Sequence, residues 1–249
     1  MNWKSIFKKK KEFLDEPLNL GLLQTDLHSH LIPGIDDGSK SMEESIFLIR
    51  EMSNLGYKKL ITTPHTMNDY YKNNPEIILA GLEELKNELV KENIDIEIEA
   101  ASEYMLDDGF EEKFKTGNIL TFGNNYILVE MSYMSEFPQL SSIIFDMQME
   151  GYKVVLAHPE RYNYWHNSFH KYQELIDRNV YLQMNINSLT GWYSASSKRI
   201  AEKLLSENMI SFLGSDLHNE NYLQELKNSR LQPILENALN NPRILNSTL

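Results

Sequence analysis

Short apolar segments alternate with amphipathic segments along most of the chain. Seven apolar segments have the length and the β-branched content of strands. They are Leu22–Leu27, Lys59–Thr63, Ile94–Ala101, Tyr126–Met131, Lys153–Ala157, Val180–Asn185 and Met209–Gly214. Several are almost continuously apolar, which is typical of strands covered on both faces in a parallel sheet.

The segments between these strands carry apolar residues at helical spacing. Ser41–Glu44 is a capping box that opens a helix. Asn74 and Pro75 supply an N-cap and a proline at the first helical position of another. Further helices are predicted near Phe137–Glu150, Ser168–Arg178, Ser194–Glu207 and Leu223–Asn240.

Seven strand–helix units in about 230 residues predict an α/β fold, and they favour a closed barrel over an open doubly wound sheet. The sequence lacks the glycine-rich phosphate loops that often accompany the open sheet. No glycine- or serine-rich linker divides the chain. We therefore expect a lead-in over residues 1–20 and a single catalytic domain over residues 21–249.

The composition narrows the chemistry that such a domain could perform. The chain has no cysteine and a formal charge of −12. Disulfides, thiolate zinc sites and cysteine nucleophiles are thereby excluded, and a nucleic-acid partner is disfavoured. The sequence has no apolar run long enough to span a membrane, and we expect a cytoplasmic protein. Lys8–Lys11 could touch an anionic membrane surface, although a solvated lead-in is the favoured interpretation.

Residues that commonly bind metals follow or end six of the seven predicted strands. They are the five histidines His28, His30, His65, His158 and His218 and the carboxylates of Asp26, Glu103, Glu130, Glu160 and Asp216. In a parallel barrel the carboxyl ends of all strands share one face, where the active site lies. We therefore predict a metal site there, built from imidazole and carboxylate groups that suit zinc, manganese or iron. His166 and His170 also have ligand-like spacing, but without a carboxylate motif an exposed surface is favoured for them.

These motifs resemble the polymerase and histidinol phosphatase (PHP) superfamily. Within it the chain is most similar to the bacterial manganese-dependent protein-tyrosine phosphatases of capsule and exopolysaccharide biosynthesis. The resemblance rests on His28–His30, Asp36–Gly38, Thr63–His65, Glu103, Glu130, His158–Tyr162 and Asp216–Asn219. It covers about residues 25–245 of the sequence.

The resemblance implies a distorted (β/α)7 barrel, the PHP fold, with two or three divalent metal ions at the strand carboxyl ends. Manganese is the expected ion, and iron, cobalt, zinc and magnesium are alternatives. Carried over from the family position by position, the metal ligands would be His28, His30, His65, Glu103, Glu130, His158, Asp216 and His218. Arg161 would contact phosphate, and Asp37 falls on an acidic position that lines the site, so both are assigned to catalysis.

The implied activity is hydrolysis of phosphotyrosine on a protein, expected to be a bacterial tyrosine kinase that controls capsule or exopolysaccharide synthesis. A homo-oligomer is also expected, because some members of the family assemble. Relatives often carry a second arginine a few residues after Asp216–Asn219, and this chain has Glu220–Gln224 instead. Histidinol phosphatase activity, a metal-dependent nuclease and a non-catalytic, metal-containing regulator of the kinase remain as alternatives.

Overall fold

The computed structural model describes residues 13–249, and within them nine parallel strands form the centre of the fold. The strands are β1 (Thr25–Leu27), β2 (Lys59–Thr62), β3 (His65–Thr66), β4 (Glu97–Ala100), β5 (Glu103–Met105), β6 (Tyr126–Glu130), β7 (Lys153–Ala157), β8 (Tyr181–Asn185) and β9 (Phe212–Gly214). They pair in the orders β1-β2-β4 and β3-β5-β6-β7-β8-β9.

The two sheets are parts of one wall, because two of its strands are interrupted. β3 continues β2 after Thr63 and Pro64, and β5 continues β4 after Ala101 and Ser102. Proline has no backbone N–H to donate to the ladder, which accounts for the first break. Hydrogen bonds cross the gap, since the amide of Ala101 donates to the Thr62 carbonyl and that of Glu103 to the Pro64 carbonyl. The wall therefore has seven strands, as the sequence predicts.

Hydrogen bonds between the last strand and the first close the wall on itself. The amide of Asp216 donates to the His28 carbonyl at 2.8 Å, and the amide of His30 donates to the Leu217 carbonyl at 2.9 Å. Below them the amide and hydroxyl of Ser215 donate to the carboxylate of Asp26 at 2.9 and 2.7 Å. The predicted fold, a distorted (β/α)7 barrel, is confirmed.

Helices follow each strand on the outside of the barrel. They are α1 (Met42–Asn54), α2 (Pro75–Lys91), α3 (Phe110–Lys115), α4 (Leu140–Met149), α5 (His170–Asp177), α6 (Ala195–Ser206), α7 (Glu220–Ser229) and α8 (Pro233–Leu239). The single helix predicted over Leu223–Asn240 was wrong. It is two helices, because Pro233 cannot donate within a helix and instead begins α8. The short helix α3 was not predicted.

The first predicted strand also begins later than expected. Leu20–Leu23 form a 3-10 helix, and the backbone of Gln24 turns with φ 61° before β1 starts at Thr25. Leu20 and Leu23 pack in the core rather than pairing with β2, and Leu22 is exposed. A short apolar run does not by itself separate a buried turn from a strand.

Apolar side chains from the strands fill the lower part of the barrel interior. Leu27, Ile61, Leu128, Val155 and Phe212 come from five different strands and form one buried cluster with one another. A larger cluster lies between the strands and the surrounding helices. This layer of apolar side chains forms the floor of the barrel below the strand carboxyl ends. It lowers the local dielectric constant around the groups above it.

The described part of the lead-in packs against the end of α7. The amide of Leu14 donates to the Leu231 carbonyl at 2.8 Å, and that of Leu18 to the Arg230 carbonyl at 2.9 Å. Lys8–Lys11 lie outside the described residues, and the domain boundary stays a prediction. Among residues 13–249, none of the helices is both long and apolar enough to cross a membrane.

Asn246 joins the first and last strands at the floor of the barrel. Its side-chain amide donates to the carbonyls of Thr25 and Leu213 at 3.0 and 2.7 Å and accepts from the Leu213 amide at 2.9 Å. We expect Asn246→Ala to lower the free energy of unfolding by about 2–4 kcal/mol, because three buried backbone groups lose their partner. Urea denaturation measures this loss.

Asn240→Ala is the matched control, since the exposed side-chain amide of Asn240 donates to the Glu236 carbonyl at the end of α8. We expect it to cost less than about 0.5 kcal/mol. Equal destabilisation by the two variants would contradict the assignment of Asn246 to barrel closure.

Candidate metal centre

The eight side chains predicted as metal ligands lie together at the carboxyl ends of the strands. They are His28, His30, His65, Glu103, Glu130, His158, Asp216 and His218. Each lies at the start or end of a strand or within four residues past it, and all eight are buried. The topology of the barrel thus collects charged and titratable groups from six of its seven strands in one place.

Three of these residues have left-handed backbone conformations. The φ angle is 87° at His28, 34° at His158 and 52° at Asp216. For residues other than glycine this region costs about 1–3 kcal/mol, and it is concentrated at functional sites. In each case a strand has just ended, and the turn leaves the side chain within the group.

The carboxylate of Glu103 lies at the centre of the group. One oxygen, Oε2, is 3.0 Å from His28 Nε2 and 3.1 Å from His65 Nδ1. The other, Oε1, is 2.9 Å from His158 Nε2. A carboxylate between several ligand nitrogens can bridge two cations, which lie roughly 3.5–4 Å apart in two-metal sites.

The ligand atoms fall into four overlapping groups, and within each group the atoms lie within 4.8 Å of one another. The groups are His30, Asp37, His65 and His218; His28, His30 and Asp216; His28, Glu103 and His158; and His65, Glu103 and Glu130. The overlap means that neighbouring cations would share ligands, as bridging side chains do in multinuclear sites.

Buried polar atoms without hydrogen bonds support a fit to metal ions. They include Nε2 of His30, Nδ1 of His65 and Oε1 of Glu130. An unsatisfied buried polar atom is costly, and a coordinated cation would satisfy each of these. The donor set of imidazole nitrogens and carboxylate oxygens suits manganese, iron and zinc. The residues present therefore fit a metal centre.

Hydrogen bonds on the far side of the rings orient three of the histidines. Nδ1 of His28 lies 2.7 Å from Gln183 Oε1, and Nδ1 of His30 lies 2.7 Å from Asp36 Oδ2. Nδ1 of His218 lies 2.8 Å from the carbonyl of Asp216. Each acceptor holds the proton on Nδ1, so the Nε2 lone pair is free for a cation.

Arg161 lies beside the group, and its guanidinium contacts two aromatic rings and the carboxylate of Asp216. Nη1 donates to Asp216 Oδ2 at 3.1 Å. The guanidinium carbon is 4.5 Å from the ring centre of Tyr133 and 4.1 Å from that of Tyr193. These contacts fix the position of the guanidinium, whose remaining N–H donors have the geometry to bind phosphate oxygens.

Asp37 lies at the mouth of the site, and its side chain is 53% exposed. Its Oδ1 is 3.5 Å from His65 Nε2 and 3.6 Å from His218 Nε2. Burial tends to raise the pKa of Asp37, but His218 and His65 outweigh this effect and lower it. The carboxylate is therefore ionised near neutral pH and lies where it could hold a cation together with the histidines.

Charge interactions within the group shift several pKa values. Burial alone would lower the pKa of His65, but Glu103 and Glu130 raise it to about 9. Burial alone would raise the pKa of Glu103, but His28 and His65 hold it well below its usual value. The group therefore stabilises positive charge, either as protons on the imidazoles or as metal ions.

The family model for capsular polysaccharide synthesis, CpsB/CapC, matches residues 24–230. The chain belongs to this family. The resemblance predicted from the sequence motifs is thereby confirmed, and the matched residues contain every predicted ligand, Asp37 and Arg161.

Two relatives of this chain are named as tyrosine-protein phosphatases. The chain is 29% identical over 195 residues to tyrosine-protein phosphatase YwqE of Bacillus subtilis, covering 78% of this chain and 77% of that protein. It is 30% identical over 203 residues to tyrosine-protein phosphatase CpsB of Streptococcus pneumoniae, covering 78% of this chain and 82% of that protein.

Solved structures show the same relationship. The fold matches a structure from work on YwqE of Bacillus subtilis and CpsB of Streptococcus pneumoniae, described as unique metal-dependent tyrosine phosphatases. The TM-score is 0.78 at 27% identity, covering 88% of this chain and 89% of that one. An amidohydrolase from Mycoplasma synoviae matches with a TM-score of 0.52 at 12% identity, covering 87% and 80%, and it shares the fold alone.

In this CpsB/CapC chain, the sequence motifs do not predict the two residues that orient His28 and His30, namely Gln183 and Asp36. Asp36 belongs to the Asp36–Gly38 motif, which assigns it no role. Besides contacting His30, it accepts a hydrogen bond from the backbone amide of His65 at 2.9 Å. Gln183 is a buried polar residue within the apolar strand β8, which is the signal that could have indicated it. His166 and His170 do not form a ligand pair. His166 contacts the carbonyl of Glu160 at 2.8 Å, and His170 is exposed at the start of α5.

We expect cation binding to release protons and to weaken as the pH falls from about 8 to about 6. Below the raised pKa of His65 its imidazole is protonated, so a proton competes with the metal. Each displaced proton lowers the apparent affinity about tenfold per pH unit. Calorimetric titration with Mn²⁺ at several pH values measures the affinity. Repeating it in two buffers of different ionisation enthalpy gives the number of protons released.

His65→Ala should release fewer protons than the wild type, whereas the exposed His170→Ala should titrate like the wild type. An affinity that does not change with pH would contradict the predicted competition.

Proposed function

We propose that this chain is a metal-dependent protein-tyrosine phosphatase. The observation that carries the proposal is the buried group of eight ligand-type side chains with the guanidinium of Arg161 beside it. The chain also belongs to the CpsB/CapC family and has no cysteine. A cysteine-based phosphatase mechanism is excluded by composition. Similarity to metal-dependent tyrosine phosphatases over most of both chains supports the same activity.

Two or three divalent cations, proposed to be Mn²⁺, would be held by His28, His30, His65, Glu103, Glu130, His158, Asp216 and His218. When bound, they supply Lewis-acid chemistry for hydrolysis of a phosphate monoester. Glu103 and Asp216 each contact more than one histidine and so hold neighbouring ligands at a fixed separation. Gln183 and Asp36 keep the imidazoles turned toward the centre.

Arg161 binds the phosphoryl oxygens in this proposal. Its fork can form two parallel hydrogen bonds and stabilise the charge that develops on phosphorus-bound oxygen. Asp37 is the second catalytic-site residue, and its lowered pKa favours holding a cation over donating a proton. Departure of tyrosine needs little proton assistance, because a phenol has a pKa of about 10 and is a better leaving group than an alkyl alcohol.

The substrate is inferred to be a tyrosine-phosphorylated protein of capsule or exopolysaccharide synthesis, since the family acts in capsular polysaccharide synthesis. A bacterial tyrosine kinase is the proposed protein, and the cytoplasm is the proposed location. Self-association into a homo-oligomer stays a prediction. Turnover of a phosphotyrosine peptide, compared with histidinol phosphate and single-stranded DNA, separates this proposal from the alternatives.

Removal of metal should abolish activity and leave the fold intact. We expect dialysis against a chelator to reduce turnover of a phosphotyrosine peptide by at least about 10³-fold, and added Mn²⁺ to restore it. Circular dichroism checks the fold, and elemental analysis measures the metal that remains. Full activity in a metal-free sample would refute the proposed mechanism.

Arg161→Ala should lower kcat/KM on the peptide by about 10²–10³-fold, because a charge-stabilising donor is lost. Metal content should stay near that of the wild type, since the eight ligands are retained. Arg199→Ala is the control, because Arg199 is exposed on α6 and we expect unchanged kinetics. Loss of metal in Arg161→Ala would assign Arg161 to support of Asp216 instead.

A further inference from the structure

Aromatic rings line the sides of the metal centre, and each of several tyrosines contacts one group of the site. The ring of Tyr71 lies 5.7 Å from His65, that of Tyr133 lies 5.7 Å from His158, and that of Tyr222 lies 4.9 Å from His218. These are ordinary distances for stacked or tilted aromatic pairs. The rings differ in what their outer faces and hydroxyl groups already contact.

Tyr193 and Tyr133 are committed to neighbours within the site. The hydroxyl of Tyr193 donates to Asp216 at 3.2 Å and accepts from the amide of Asn185 at 3.0 Å. Both rings cover a face of Arg161. They hold the guanidinium in place, and one face of each is unavailable to a substrate.

Tyr222 has a different position, because it joins the metal side of the site to the exposed rim. Its ring plane lies at 31° to that of His218, and its ring centre is 5.9 Å from that of Trp192, with the two planes at 71°. Burial raises the pKa of Tyr222, and the charges of Asp216, Arg161 and Asp37 also act on it. Its hydroxyl therefore lies in the field of the groups assigned to phosphate and metal.

Trp192 extends the same surface outward. It stands just past Gly191, whose backbone turns with φ 89°, and 43% of its surface is exposed. A large exposed aromatic side chain beside a catalytic centre is a surface that a planar apolar group can cover. Tyr222 and Trp192 meet edge to face. Together they form an angled wall that runs from the buried His218 to the exposed Trp192.

We propose that Tyr222 and Trp192 form the wall against which the phenyl ring of an aryl phosphate packs, and that Tyr222 sets the preference for aryl over alkyl esters. The inference rests on the proposed phosphatase function and names the residues that recognise the leaving group. The phosphoryl group faces the metal ligands and Arg161, and the ester substituent leaves the site along this wall. An alkyl substituent would bury less of the wall and gain less from it.

The experiment compares ligands that share the phosphoryl-like group and differ in the substituent. Phenylphosphonate, methylphosphonate and inorganic phosphate are tested as competitive inhibitors of Mn²⁺-loaded protein. Binding is also followed by quenching of tryptophan fluorescence, which gives a readout that needs no turnover. Trp192→Phe identifies the part of that signal that comes from Trp192.

Tyr222→Ala is expected to weaken phenylphosphonate about tenfold while phosphate and methylphosphonate change less than about twofold. Tyr222→Phe is expected to keep the wild-type affinities, since the ring and not the hydroxyl forms the wall. Trp192→Ala, which removes the outer part of the wall, should weaken phenylphosphonate selectively as well. Tyr70→Ala is the matched control, because Tyr70 is an 82% exposed tyrosine of another loop, and it should bind all three ligands normally.

Equal weakening of all three ligands by Tyr222→Ala would overturn the proposal, because the ring would then support His218 rather than the substrate. Loss of phenylphosphonate affinity in Tyr222→Phe would overturn it as well, by assigning the effect to the hydroxyl. A metal-loaded wild type that binds phenylphosphonate selectively but hydrolyses no aryl phosphate would refute the phosphatase function while supporting the wall.

Discussion

The buried carboxylate of Glu103 is the constraint on which the rest of the site depends. A charge removed from water costs several kcal/mol unless opposite charges compensate it. Glu103 is fully buried, and His28, His65 and His158 approach its two oxygens within 3.1 Å. These histidines come from three different strands. The barrel must therefore hold its strand ends in register, since a shift of any one of these strands would remove one of the three partners of this carboxylate.

The site is arranged in three tiers of different polarity. Apolar side chains such as Leu27 and Phe212 form the floor, the ligands form the middle tier, and Arg161 with its tyrosines forms the rim. The floor excludes water below the charged groups, so their electrostatic interactions are stronger than they would be at a surface. The protein carries a net charge of −12, yet bound cations would make this one opening attractive to an anion.

The sequence predicts the features that depend on local pattern. Seven strands follow from the apolar runs, and the histidines and carboxylates at their ends indicate where the site lies, while the resemblance to the family selects eight of them as ligands. The orienting contacts do not follow, because partners such as His28 and Gln183 are 155 residues apart. The interruption at Pro64 has a local cause, whereas Ser102 lies beside it on the neighbouring strand, and the Ser102 hydroxyl donates to the Pro64 carbonyl. The aromatic wall depends on where α7 begins, and this brings Tyr222 onto His218.

The closure of the barrel has a consequence for the order of events in folding. Asp26 and Ser215, which hydrogen-bond across the seam, are 189 residues apart, and the Thr25–Asn246 contact spans 221. Pairings of such high sequence separation carry a large loop entropy and tend to form late. His28 and Asp216 lie on opposite sides of this seam, so the candidate cation site that they share forms only after the first strand has paired with the last. Binding of a metal ion between them would therefore require the complete native topology. A barrel whose first and last strands have not yet paired would lack this site.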